Sequence, residues 1–69
     1  MKLSARNQLK GTVRSITEGA VNSEVVIEIA PGVEVTAVIT KASVANLGLR
    51  EGSAAYAVVK ASNVMVAAE

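Results

Sequence analysis

The stretch Val25-Val26-Ile27-Glu28-Ile29-Ala30-Pro31-Gly32-Val33-Glu34-Val35-Thr36-Ala37-Val38-Ile39-Thr40 decides the fold class of this chain. Valine and isoleucine dominate it, and such side chains suit a pleated, half-buried surface. Ala30-Pro31-Gly32 divides it. Proline presets φ for the first central position of a type II turn, and glycine accepts the positive φ of the second. Before the turn, Val25, Ile27 and Ile29 share one face and Glu24, Val26 and Glu28 the other, which predicts a strand over residues 21–30. After it, Val33, Val35, Ala37 and Ile39 alternate with Glu34, Thr36, Val38 and Thr40. Alternation of period two on both sides of a tight turn predicts an antiparallel hairpin.

The pattern extends outward from this hairpin. Upstream, Leu9, Gly11 and Val13 alternate with Lys10, Thr12 and Arg14, predicting a first strand over residues 8–16 that Glu18-Gly19 breaks. Downstream the period changes: Thr40 caps a short helix within residues 41–47, Val44 and Leu47 form its buried side, and Gly48 stops it. Arg50-Glu51-Gly52 makes another turn. A fourth strand follows over residues 54–60, with Tyr56 and Val58 on one face, and Val64-Met65-Val66 predicts a fifth. Five strands with one helix between the third and fourth is the order of a small all-β, OB-like barrel. An SH3-like barrel or a small open sheet follows the same pattern. With no linker, repeat or low-complexity tract, residues 1–69 read as a single domain.

Composition narrows the function. The 69 residues include no cysteine, histidine or aspartate, so disulfides, zinc ribbons, thiol nucleophiles and most acid–base pairs are excluded. Glu18, Glu24, Glu34 and Glu51 lie in strand or turn patterns beside valine or glycine and Glu28 lies between isoleucines, and with no two acidic residues clustered no oxygen-ligand metal site is expected. A formal charge of +1 and one aromatic residue, Tyr56, argue against nucleic acid as a partner. The N-terminus carries no apolar targeting segment, and no apolar run approaches the ~18 residues of a membrane span, so a cytoplasmic location without membrane contact is expected. The chain is nevertheless 51% hydrophobic, with a mean hydropathy of +0.42. The second and fourth strands are apolar on both faces, and a chain this short is marginal alone. Packing of outer faces or edges against further copies is the expected remedy.

What chemistry remains is a set of hydrogen-bond donors. Ser4, Arg6, Asn7, Thr40, Ser43, Lys60 and Ser62 all fall at predicted element ends, where free backbone N–H groups also collect. They suit a tetrahedral oxyanion with two negative charges and no protons, because such an ion offers only acceptor lone pairs. The plainer reading is more economical on residue type alone: Thr40 and Ser43 as helix-start caps, Arg6 as a surface arginine, Lys60 as a solvated strand end.

The segment Leu3-Ser4-Ala5-Arg6-Asn7-Gln8-Leu9-Lys10-Gly11 resembles the signature start of the molbindin (Mop) family of small molybdate- and tungstate-binding proteins. Gly19-Ala20-Val21-Asn22, Ile39-Thr40-Lys41-Ala42-Ser43-Val44 with Leu47-Gly48-Leu49, and Tyr56-Ala57-Val58-Val59-Lys60-Ala61-Ser62-Asn63-Val64-Met65 agree with that family in order and spacing. The resemblance runs from Lys2 to about Val66 and fits the free-standing, single-domain form (the Mop-type TOBE domain). It implies an OB-like barrel assembled as a homo-hexamer, a trimer of dimers, with oxyanions held between subunits. It assigns a dimer-interface site to Ser4, Ala5, Arg6, Thr40, Ser43, Lys60, Ala61 and Ser62, and a threefold-axis site to Gly19, Ala20, Val21 and Asn22. Molybdenum enters such sites as molybdate, with no direct protein–metal bond and no organic cofactor.

Two functions follow. The first is reversible binding of molybdate, and of tungstate as a near-equal in size, for intracellular molybdenum storage and homeostasis without catalysis. The alternative is a structural barrel that oligomerises or docks onto a partner and takes no ligand.

Overall fold

The computed structural model describes residues 1–69. Its elements in chain order are β1 (Asn7–Glu18), β2 (Asn22–Ala30), β3 (Val33–Thr40), α1 (Lys41–Leu47) and β4 (Ala54–Val59), followed by a single 3-10 turn at Ala61–Asn63. All strand pairs are antiparallel and the sheet order is β3-β2-β1-β4. The β2–β3 hairpin forms as the turn chemistry requires, with Gly32 at φ 74° and Ala30 facing Val33. Thr40 caps α1 by accepting the Ser43 N–H, and Gly48 ends the helix at φ 64°.

The sheet curls around a small core of Val13, Val25, Ile27, Val44 and Ala57. Two irregularities help bend it. Arg14 is skipped in the β1–β2 register, where Val13 faces Ile27 and Ser15 faces Val26, and Ile29 is skipped between Glu28 and Ala30. An extra residue of this kind leaves a ladder position unpaired and increases the local twist. The first shift explains why β1 runs beyond the alternation of residues 9–13: past Arg14 the inward position passes from odd to even, and Ile16 packs on the core. Released outward, Arg14 lies 3.5 Å from Glu28 and 3.8 Å from Glu34, offsetting the repulsion of two glutamates paired across β2 and β3. Gly11 marks the tightest approach, because a Cβ there would collide with the Glu28 carbonyl oxygen and lie 2.8 Å from Ile27 Cγ2.

In β4 the alanine face turns inward. Ala55 and Ala57 oppose Gly11 and Leu9, while Tyr56 and Val58 face outward at 46% and 43% exposure.

The expected five-stranded barrel is corrected to a four-stranded half-barrel. Residues 64–66 form no strand, and Met65 and Val66 are 94% and 92% exposed. A strand needs an edge to pair with, and the 3-10 turn sends the tail away from its own sheet. An open seam therefore separates the free edges of β3 and β4. It is a cavity of about 600 Å³ in which fifteen of sixteen lining residues are hydrophobic. Only six of the 69 residues are buried, so one copy encloses little core.

Candidate functional site

β1 is the ruler against which the candidate residues are placed. At its start Asn7 pairs with Val59 at the end of β4, so the segment before β1 and the segment after β4 emerge side by side. They enclose a cleft of about 480 Å³ lined by Ser4, Ala5, Arg6, Lys60, Ala61 and Ser62. The Gln8 side-chain amide steadies one wall by donating to the Ala5 carbonyl at 2.8 Å. In the other wall, Asn63 N–H donates to the Lys60 carbonyl at 2.8 Å and closes the 3-10 turn. Two cations and two hydroxyls line the cleft and no carboxylate does, so its chemistry is that of an anion receptor. It faces solvent, where high dielectric and salt weaken the field of Arg6 and Lys60.

Thr40 and Ser43 lie elsewhere. Glu18, at the other end of β1, faces Ser23, and the adjacent Asn22 faces Thr40. Twelve residues of strand separate the two ends, roughly 40 Å along the chain at about 3.3 Å per residue. At this far end the Thr40 hydroxyl accepts the Ser43 N–H at 3.0 Å and donates to Ser43 Oγ at 2.8 Å. The Ser43 O–H proton is left free to donate elsewhere. Lys41 N–H donates to the Val21 carbonyl at 2.9 Å, and Gly19 N–H donates to the Asn22 carbonyl at 2.8 Å. These bonds tie residues 19–22 to the start of α1 as one cluster.

One subunit thus brings together Ser4, Ala5, Arg6, Lys60, Ala61 and Ser62, and separately Thr40 and Ser43 with Gly19, Ala20, Val21 and Asn22. Gln8 is a further support that its residue type does not announce, since its bond to the Ala5 carbonyl depends on the turn of the chain before β1. Ser23, likewise unannounced, is 2% exposed and its Oγ has no hydrogen-bond partner. Nowhere do three His, Cys, Asp or Glu residues gather, and no helix is long and apolar enough to cross a membrane.

Residues 3–66 match the TOBE domain family. Molybdenum-pterin-binding protein 2 of Clostridium pasteurianum is 50% identical over 68 residues, spanning 99% of this chain and all of that protein. A molybdate-binding protein from Sporomusa ovata superposes with a TM-score of 0.90 at 41% identity, covering 99% of this chain and 100% of that one. The cytoplasmic molybdate-binding protein ModG, solved with molybdate bound, gives a TM-score of 0.89 at 54% identity over 94% of this chain and 46% of its own. The chain belongs to the TOBE-domain family and, within it, to the molybdenum-pterin-binding (Mop) proteins.

Proposed function

We propose that this protein binds molybdate, and tungstate with it, at sites completed between copies of an oligomer, and so buffers molybdenum in the cytoplasm. The observation that carries the reading is the division of the donors. The cleft at residues 4–6 and 60–62 has the charges needed to offset a dianion but stands open. The cluster at Thr40 and Ser43 is ordered by its own hydrogen bonds, carries no cleft of charges, and leaves the Ser43 O–H proton free to donate. A second copy that lays its Thr40 end over the cleft supplies the missing wall and excludes water, and hydrogen bonds to a charged group contribute roughly 1.5–3 kcal/mol each. Relatives named for molybdenum or molybdate support the choice of ion. The cleft lining has no carboxylate to accept the proton that phosphate carries near neutral pH, which disfavours phosphate. Sulfate, equally charged but smaller, fits a molybdate-sized cage less well.

The open seam supports self-association independently. Its lining takes every residue of β4, both faces of the strand, so it follows an unpaired edge, with Val35 to Ala37 of β3 opposite. Val64-Met65-Val66 is an extended apolar segment with no site in its own subunit. Laid into a neighbour's seam, it pairs an exposed edge and buries apolar surface on both copies. The hexameric trimer of dimers, the threefold-axis site at residues 19–22, the single-domain extent of residues 1–69 and a binding rather than catalytic activity all belong to this reading. Nucleic acid and membrane are not its partners.

Calorimetric titration tests it: molybdate and tungstate are expected to bind with micromolar or tighter affinity. Heat no greater than that given by sulfate rejects the proposal. Native mass spectrometry reads assembly state and ion count together, and a monomer rejects the shared site.

A further inference from the structure

The cleft sits where both terminal segments turn. Just before its first wall, Met1 and Leu3 reach into the apolar seam. In its second wall, Ala61 and Ser62 open the 3-10 turn from which Val64 and the tail depart. An ion in the cleft therefore touches the segment seated in this subunit's seam and, at the same time, the hinge of the segment that leaves it. Little else fixes that hinge. The turn buries no residue, has no side-chain cap, and closes on two backbone bonds: Asn63 N–H to the Lys60 carbonyl at 2.8 Å and Val64 N–H to the Ala61 carbonyl at 3.3 Å.

We infer that oxyanion occupancy of this cleft sets how long copies stay joined, by holding the hinge at Ala61–Asn63 through which the tail crosses to its neighbour. The inference rests on the proposed molybdate site and on the tail lying in a neighbour's seam. A ligand that binds only the set hinge stabilises that state by the factor 1 + [L]/Kd. If the tail leaves only after the hinge turns, release proceeds from the ion-free fraction alone, and exchange of copies slows by the same factor. At free molybdate 100 times its Kd the slowing is roughly 100-fold. The ion is then both cargo and clasp: a loaded assembly is kinetically locked and an emptied one exchanges its copies.

The test mixes unlabelled and nitrogen-15-labelled oligomers of the full chain and follows mixed species by native mass spectrometry, with sodium molybdate or sodium sulfate. Calorimetry on the same samples establishes binding. The expected result is exchange that slows in proportion to molybdate concentration above Kd and hardly responds to sulfate. Amide hydrogen exchange is expected to show residues 61–66 gaining protection while the core positions Val13 and Val25 do not respond. Lys60→Ala, which weakens the cleft without touching the tail, should shift the slowing to higher molybdate by the factor that calorimetry gives for its affinity. Molybdate heat with an unchanged exchange rate overturns the coupling alone. Absence of that heat overturns the site and the coupling together.

Discussion

The two ends of β1 carry complementary halves of one chemistry. At the Asn7 end, Arg6 and Lys60 supply positive charge on two flanking segments, one steadied by the Gln8 side chain and the other by a single short turn. At the Glu18 end, Thr40 and Ser43 supply hydroxyls already ordered by a helix cap and tied to residues 19–22 through Lys41. One end has charge with little order, the other order with little charge. A site needing both is out of reach for a single curled strand, whose ends are held apart by its own length.

The charged end is the more sensitive of the two. Arg6→Ala or Lys60→Ala removes a charge-assisted donor, and calorimetry should show molybdate affinity falling by about 1.5–3 kcal/mol, or roughly 10–150-fold. The melting temperature should move little, because both side chains are exposed. Between the ends, Gly11→Ala pushes a methyl into the Glu28 carbonyl. Denaturant unfolding should register a loss of about 1–3 kcal/mol, with the curl of β1 and both ends disturbed together. Unchanged stability in Gly11→Ala would show that β1 does not need its close approach to β2.

At the hydroxyl end the effects are smaller and mixed. Thr40→Val deletes the cap of α1, so stability should fall by about 1 kcal/mol and affinity by a few-fold. Equal affinity in Thr40→Val and the parent would remove that end from the site. The smallest change is Ser23→Ala. Its buried hydroxyl has no partner, so removing it should leave thermal stability unchanged or slightly raised. A marked loss would mean that an internal water or a neighbouring copy satisfies that oxygen.

What the sequence made legible was local. The Pro31-Gly32 turn, the Thr40 cap and the Gly48 stop act over three or four residues, and β2, β3 and α1 follow from them almost to the residue. The end of β1 escaped because one skipped residue at Arg14 shifts the inward positions and erases the period. Valines favour extended backbone, which predicts a strand for the tail, yet propensity does not say whose edge a segment will meet. The site divides the same way. Donor chemistry is visible in residue types, whereas the separation of Thr40 and Ser43 from Arg6 and Lys60 is set by strand register, a non-local quantity. Tyr56 and Val58 against Ala55 and Ala57 present an apolar face each way. In the structure the smaller pair turns inward, opposite Gly11 and Leu9.

The most direct test of a cage shared between copies is complementation. Chains carrying Arg6→Ala are co-refolded with chains carrying both Thr40→Val and Ser43→Ala, and the mixture is titrated with molybdate. In a mixed pair each cage takes its charged wall from one chain and its hydroxyl wall from the other. One cage therefore collects both defects and its twin collects none. The expected result is the return of a tight site of parental affinity, absent from either variant alone and present on mixed assemblies in native mass spectra. A mixture whose titration is only the sum of the two crippled proteins would contradict it, because it would place all the donors of each site within one chain.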